Sequence, residues 1–149
     1  MKIFQCSLTI LFAAALLISP LSIYSESESA PTEKAKTTDG YKEITTEKLK
    51  SMIDAKAPMM ILDARKKNDG GLIPGAKPLA YNATDKEVKD FLKMVPKDMM
   101  IVVYCSNVYC PVSKYLAKRL VILGYTNVYK YPDGLSGWLD MKYPVDPAN

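Results

Sequence analysis

From Tyr41 onward the chain alternates short apolar runs of strand length with segments of helical periodicity, and no other feature restricts its fold as much. Five runs read as strands: Tyr41 to Ile44, Met59 to Leu62 ending at Asp63, an extended piece around Pro78 to Tyr81, Met99 to Tyr104, and Asn127 to Tyr131. Between them, Thr45 caps a predicted helix to about Ala55, with Leu49, Met52 and Ile53 on one face. Thr84-Asp85-Lys86-Glu87 is a capping box opening a helix to about Met94, with Val88, Phe91, Leu92 and Val95 turned inward. Pro111 suits the first turn of a third helix, lined by Leu116, Leu120 and Leu123 and stopped by Gly124. Leu135 to Asp140 is a last short helix holding Trp138, an expected core residue. Strands separated by helices pair in parallel, and the helices then cover both faces of the sheet. The predicted class is α/β, with a mostly parallel five-stranded sheet flanked by helices.

The 149 residues suffice for one domain with a real core but not for two. Histidine is absent, which removes Ser-His and Cys-His triads, histidine-ligated zinc and haem, and any imidazole acid–base step. Formal charge is +4 with no dominant lysine–arginine block, so nucleic-acid binding is not expected. No metal site and no cofactor is predicted.

Residues 1–25 resemble a secretory signal, with Lys2 as the charged start, Ile10 to Ile18 as the apolar stretch, Pro20 as its break, and Ser22 to Ser25 suited to cleavage. The unbroken apolar run is shorter than the roughly 20 residues of a spanning helix, so no stable membrane span is expected after cleavage. The alternative is an uncleaved membrane anchor. Residues 26–40 read as a flexible linker, and 41–149 as the domain. The expected location is outside the cytoplasm, periplasmic or secreted. Cleavage would discard Cys6 and leave Cys105 and Cys110.

In parallel α/β sheets, ligands bind beyond the carboxyl ends of the strands, and both Asp63 and Cys105 fall there. Cys105 closes an apolar strand and faces the start of a helix, whose free N–H groups and positive dipole end favour an anion. That setting lowers a thiol's pKa and makes Cys105 a candidate nucleophile. A bridge from Cys105 to Cys110 closes only a short ring and constrains the unfolded chain little, so a reactive pair explains these cysteines better than a structural one.

Ile61-Leu62-Asp63-Ala64-Arg65, Gly71-Leu72-Ile73-Pro74-Gly75-Ala76, Ile101-Val102-Val103-Tyr104-Cys105, Gly124 to Tyr129, Asp133 to Trp138, and Tyr143-Pro144-Val145 resemble, in order, the signatures of a single-domain rhodanese. The resemblance runs from about Tyr41 to Val145. It implies a three-layer rhodanese-like sandwich and a sulfurtransferase: a thiolate takes sulfane sulfur from a donor such as thiosulfate or polysulfide and passes the persulfide to a thiophilic acceptor. Cys105 is then the catalytic nucleophile. The backbone N–H groups of Ser106, Asn107, Val108, Tyr109 and Cys110 are the candidate persulfide cradle. Asp63 and Arg65 are expected to form a pair supporting the loop. Partners are a small sulfur donor, a thiol acceptor and, alternatively, a protein thiol.

Three positions depart from the family pattern. Cys110 stands where arginine is common, Leu72 where histidine is, and Asp133 where the first glycine near the tryptophan is. The loop thus lacks its own cation, Asp133 would add negative charge if near, and Lys114 and Lys118 are candidates to replace the cation, although such lysines more often form only a solvated face. Tyr104 is expected to be buried, and Tyr109 to wall the pocket mouth. Cys110 becomes a candidate resolving thiol, able to attack a Cys105 persulfide or close a disulfide. Two alternatives to sulfur transfer therefore stay open: a dithiol–disulfide carrier using both thiols, and a catalytically silent binding module. Pro111 stands where oxyanion-hydrolysing relatives need a clamping arginine, which argues against phosphatase or arsenate reductase chemistry.

Overall fold

The computed structural model of the chain describes residues 39–148. The expected signal segment, Cys6 and nearly all of the expected linker lie outside these residues. Five strands form one sheet: β1 (Lys42–Glu43), β2 (Met60–Asp63), β3 (Ala76–Pro78), β4 (Ile101–Tyr104) and β5 (Val128–Tyr131), in the order β1-β5-β4-β2-β3. Every pairing is parallel, so the sheet is wholly rather than mostly parallel. An isolated antiparallel bridge between Leu72 and Asp146 lies outside it.

β4 is buried along its whole length and divides its side chains between two cores at the strand period of two. Ile101 and Val103 enter one core with Leu62, Val88, Leu92, Leu116 and Leu120. Val102 and Tyr104 enter the other with Leu49, Ile61, Leu135 and Trp138. Helices α2 (Asp85–Phe91) and α3 (Val112–Ile122) therefore cover the first face, and α1 (Thr46–Asp54) and α4 (Gly134–Asp140) the second. The three-layer sandwich expected from the alternation is the one observed. Among the described residues, no helix is long and apolar enough to cross a membrane.

Local signals act as expected at the helix starts. Thr45 Oγ1 accepts the Lys48 N–H at 3.3 Å, and Thr84 and Glu87 complete their capping box. α2 ends at Phe91, short of the predicted Met94, because Leu92 leaves helical geometry as its C-cap. Phe91 is 42% exposed, contrary to the inward position the periodicity predicts, whereas Leu92, also expected inward, is buried. β3 runs from Ala76 to Pro78, earlier than the extended piece expected around Pro78 to Tyr81, and α4 begins at Gly134, one residue earlier than expected.

The strand order fixes where a ligand can bind. After β2 the chain moves outward to β3, and after β4 it moves the other way to β5. The crevice beyond the adjacent carboxyl ends of β2 and β4 is thus the topological switch point.

Candidate active site

Cys105 follows the last residue of β4 directly and is 2% exposed, with Ser106 and Asn107 half-buried and Val108 and Tyr109 exposed. Cys105 borders a pocket of about 610 Å³ at the switch point, lined also by Ser106, Cys110, Arg65, Lys66 and Lys67. The Sγ atoms of Cys105 and Cys110 stand at bonding distance, with their Cα atoms 6.2 Å apart. Ser106 Oγ lies 3.9 Å from Cys105 Sγ.

The first residues of α4 hold the cysteine loop. Leu135 N–H donates to the Cys105 carbonyl at 2.9 Å, and Ser136 N–H donates to the Ser106 carbonyl at 2.8 Å. In a planar trans peptide the carbonyl and the next N–H point in opposite directions. With both carbonyls turned to α4, the N–H groups of Ser106 and Asn107 point away from it. These two and the Val108 N–H have no protein acceptor among the described residues. The rest of the expected cradle is already engaged: Tyr109 N–H donates to Asn107 Oδ1 and Cys110 N–H to the Asn107 carbonyl, both at 3.1 Å. The free cradle therefore comprises Ser106, Asn107 and Val108, while Asn107 itself shapes the turn.

Asp63 and Arg65 pair as expected. Asp63 is fully buried, and its carboxylate accepts the Arg65 main-chain N–H at 2.9 Å and Arg65 Nη2 at 2.6 Å. Arg65 also donates to the carbonyls of Asp69 and Gly71, both at 2.7 Å. Burial alone lowers the Arg65 pKa, but the hydrogen bonds and charge of Asp63 outweigh it and hold that pKa above its ordinary value. A guanidinium so fully engaged shapes the β2–β3 loop and has little capacity left for a ligand. Tyr104 is fully buried, as expected, and its hydroxyl accepts the Ile73 N–H at 3.2 Å.

The structure decides three open readings of charge and shape. Lys114 and Lys118 turn to Asp39, at 3.9 and 2.7 Å, and neither lines the pocket. Tyr109 is 91% exposed at the loop apex and does not wall the pocket; Tyr81 and Leu139 do. Asp133 accepts the Thr46 hydroxyl at 2.8 Å on the α1 side and adds no charge to the pocket lining. The cations there are Lys66 and Lys67, both exposed and in no ion pair among the described residues, opposed by Asp69. The sequence signal was available: two lysines directly after Asp63-Ala64-Arg65 sit at the carboxyl end of a strand adjacent to that of Cys105. No cluster of histidine, cysteine or acidic residues able to hold a metal occurs among the described residues.

The family model for the rhodanese-like domain matches residues 45–141. No curated protein matches the chain in sequence. Among solved structures, a protein from Bacillus halodurans is 22% identical with a TM-score of 0.64, over 72% of this chain and 77% of that one. A thiosulfate sulfurtransferase from Pseudomonas aeruginosa is 20% identical with a TM-score of 0.59, over 73% of this chain and 21% of that one. A persulfide form of EanB with ergothioneine is 25% identical with a TM-score of 0.59, over 70% of this chain and 28% of that one.

Proposed function

The chain belongs to the rhodanese-like domain family, and from that membership we propose that it is a sulfurtransferase carrying sulfane sulfur as a persulfide on Cys105, exported by its signal-like residues 1–25. The observation that carries this reading is the pocket at the end of β4, lined by Cys105 and two unpaired lysines beside a loop whose Ser106, Asn107 and Val108 N–H groups are unengaged. The Cys105 thiolate attacks the sulfane sulfur of the donor, and the donor's remaining fragment leaves with the electron pair of the broken bond. The new persulfide is an anion, and the N–H groups of Ser106, Asn107 and Val108 stabilise it without reorganising. Lys66 and Lys67 attract an anionic donor from solution. An acceptor thiolate then takes the outer sulfur and regenerates Cys105. With a thiol at position 110 in place of a loop arginine, polysulfide is the better donor and thiosulfate the poorer one.

Treating the reduced protein with polysulfide and locating added sulfur by mass spectrometry tests this reading. Sulfur at Cys105, absent from Cys105→Ser, is expected. A persulfide that still forms on Cys110 in Cys105→Ser overturns Cys105 as the nucleophile. Failure of both thiosulfate and polysulfide to support transfer to cyanide points to a module without turnover.

A second reading, a dithiol–disulfide carrier, is favoured by the placing of Cys105 and Cys110 together in the pocket lining. A measured reduction potential in the range of thiol-exchange proteins, with no sulfur transfer, would select it.

A further inference from the structure

We propose that the bridged Cys105–Cys110 pair is itself a sulfur-loading form, opened by hydrosulfide to give a persulfide without any sulfane donor. The inference rests on the sulfur-carrier reading and adds a second substrate class to the same site. A sulfane donor is an electrophile for a thiolate; hydrosulfide is a nucleophile for a disulfide.

The two sulfurs differ in ways that decide the direction of attack. Both cysteines line the pocket, but Cys110 is half-buried whereas Cys105 is 2% exposed. Access therefore favours attack on Cys110. Leaving-group ability favours the same choice, because a thiolate of lower basicity departs faster. The unengaged N–H groups of Ser106 and Asn107, directed away from α4 by their pinned carbonyls, stabilise a thiolate on Cys105. Lys66 and Lys67, at the mouth of the same pocket, raise the local concentration of a small anion.

The step balances without a further reagent. Hydrosulfide sulfur bonds to Cys110 Sγ, the Cys105–Cys110 bond breaks, and its electron pair leaves on Cys105 Sγ. The disulfide is the oxidant and hydrosulfide the reductant; the hydrosulfide proton stays on the outer sulfur of the persulfide. Re-forming the bridge for another cycle takes an external disulfide by thiol–disulfide exchange.

The test treats the oxidised full chain with sodium sulfide under anaerobic conditions, quenches it with an alkylating reagent, and reads intact mass and fragment ions. The expected product gains one hydrogen sulfide per chain, with the persulfide on Cys110 and an alkylated thiol on Cys105. Reduced protein and Cys110→Ser gain nothing from sulfide. Replacing both Lys66 and Lys67 by Gln slows the gain by about tenfold at low salt and removes most of its salt dependence. A bridge that survives sulfide, or an earliest persulfide on Cys105, overturns the proposal. Polysulfide on reduced protein is the parallel arm. If it loads Cys105 while sulfide leaves the oxidised chain intact, the inference falls and the carrier reading stands. A silent polysulfide arm removes the carrier reading on which the inference stands.

Discussion

At Gly134 the first residue of α4 meets the cysteine loop backbone to backbone. A Cβ there would stand 2.5 Å from the Cys105 carbonyl oxygen and 2.8 Å from the Asn107 nitrogen, and φ is +63°. Both the contact and the dihedral exclude a side chain. The approach is what lets Leu135 and Ser136 take the loop carbonyls and leave the Ser106 and Asn107 N–H groups free. Gly134→Ala is therefore expected to cost about 1–3 kcal/mol in urea unfolding, from forced displacement of packed backbone. Persulfide formation should fall by more than this stability loss explains, because the cradle itself is displaced. Wild-type loading rates in a variant that unfolds less readily than expected would show that α4 does not set the loop. Nearby, the Asp63–Arg65 pair marks the difference between a buried charge that organises the loop and exposed charges left unpaired at the pocket. Arg65 is spent on Asp63 and two carbonyls, whereas Lys66 and Lys67 keep their charge for the pocket.

α2 shows how an element's end can carry a pH dependence. Glu87 accepts from the Thr84 N–H at 2.6 Å and from its hydroxyl at 2.8 Å, and these bonds hold its carboxyl below the ordinary value of 4.5. A carboxylate whose pKa is lower in the folded state contributes stability above its unfolded pKa and loses it as pH falls through the folded value. Thermal melts should thus show an acid-side loss beginning near pH 4.5 and continuing below it, and Glu87→Gln should remove that component while leaving the rest of the curve. An identical acid limb in the variant would assign the loss elsewhere. Elements of this kind are legible in sequence because their determinants are local. The capping box spans four residues, and β4 announces itself as an unbroken apolar run. The site was legible only in part. Strand-end position identifies Cys105, but which lysines face it depends on β2 lying next to β4, a pairing between residues about forty apart in sequence. Lys114 and Lys118, nearer in sequence, turn out to serve Asp39. Likewise, the engagement of Tyr109 and Cys110 by Asn107 follows from a turn conformation that no residue pattern in the loop specifies.

Across the whole molecule, the C-terminal tail connects the second core to the pocket. Trp138 is fully buried on α4, and its indole N–H donates to the Pro144 carbonyl at 2.8 Å, with Tyr143 packed edge-on at 4.9 Å. The tail then runs over the β2–β3 loop. Leu72 and Asp146 exchange main-chain hydrogen bonds at 2.9 and 2.8 Å, and the Asp146 carboxylate accepts the Gly75 N–H at 2.9 Å. Gly71, at φ +90°, lies so close beneath that a Cβ would stand 2.8 Å from the Asp146 carbonyl oxygen. The Gly71 carbonyl in turn accepts from Arg65, next to the pocket lysines. A continuous chain of contacts thus links tail, loop, Arg65 and pocket, although the tail itself is exposed and lies outside the residues matched by the family model. Removing residues 144–149 takes away the Trp138 acceptor and the Leu72 pairing together, leaving an indole N–H and a loop amide without partners. At about 1 kcal/mol per hydrogen bond, the loss is expected to reach several kcal/mol. Asp146→Asn removes the charge but keeps the main-chain pairing, so it should cost under about 1 kcal/mol. If the tail acts through the loop, the truncated protein, measured well below its melting temperature, will also load sulfur more slowly and with weaker salt dependence, because Lys66 and Lys67 are no longer held at the pocket. A truncation that melts early but loads at the full rate, with the salt dependence intact, would confine the tail to stability alone.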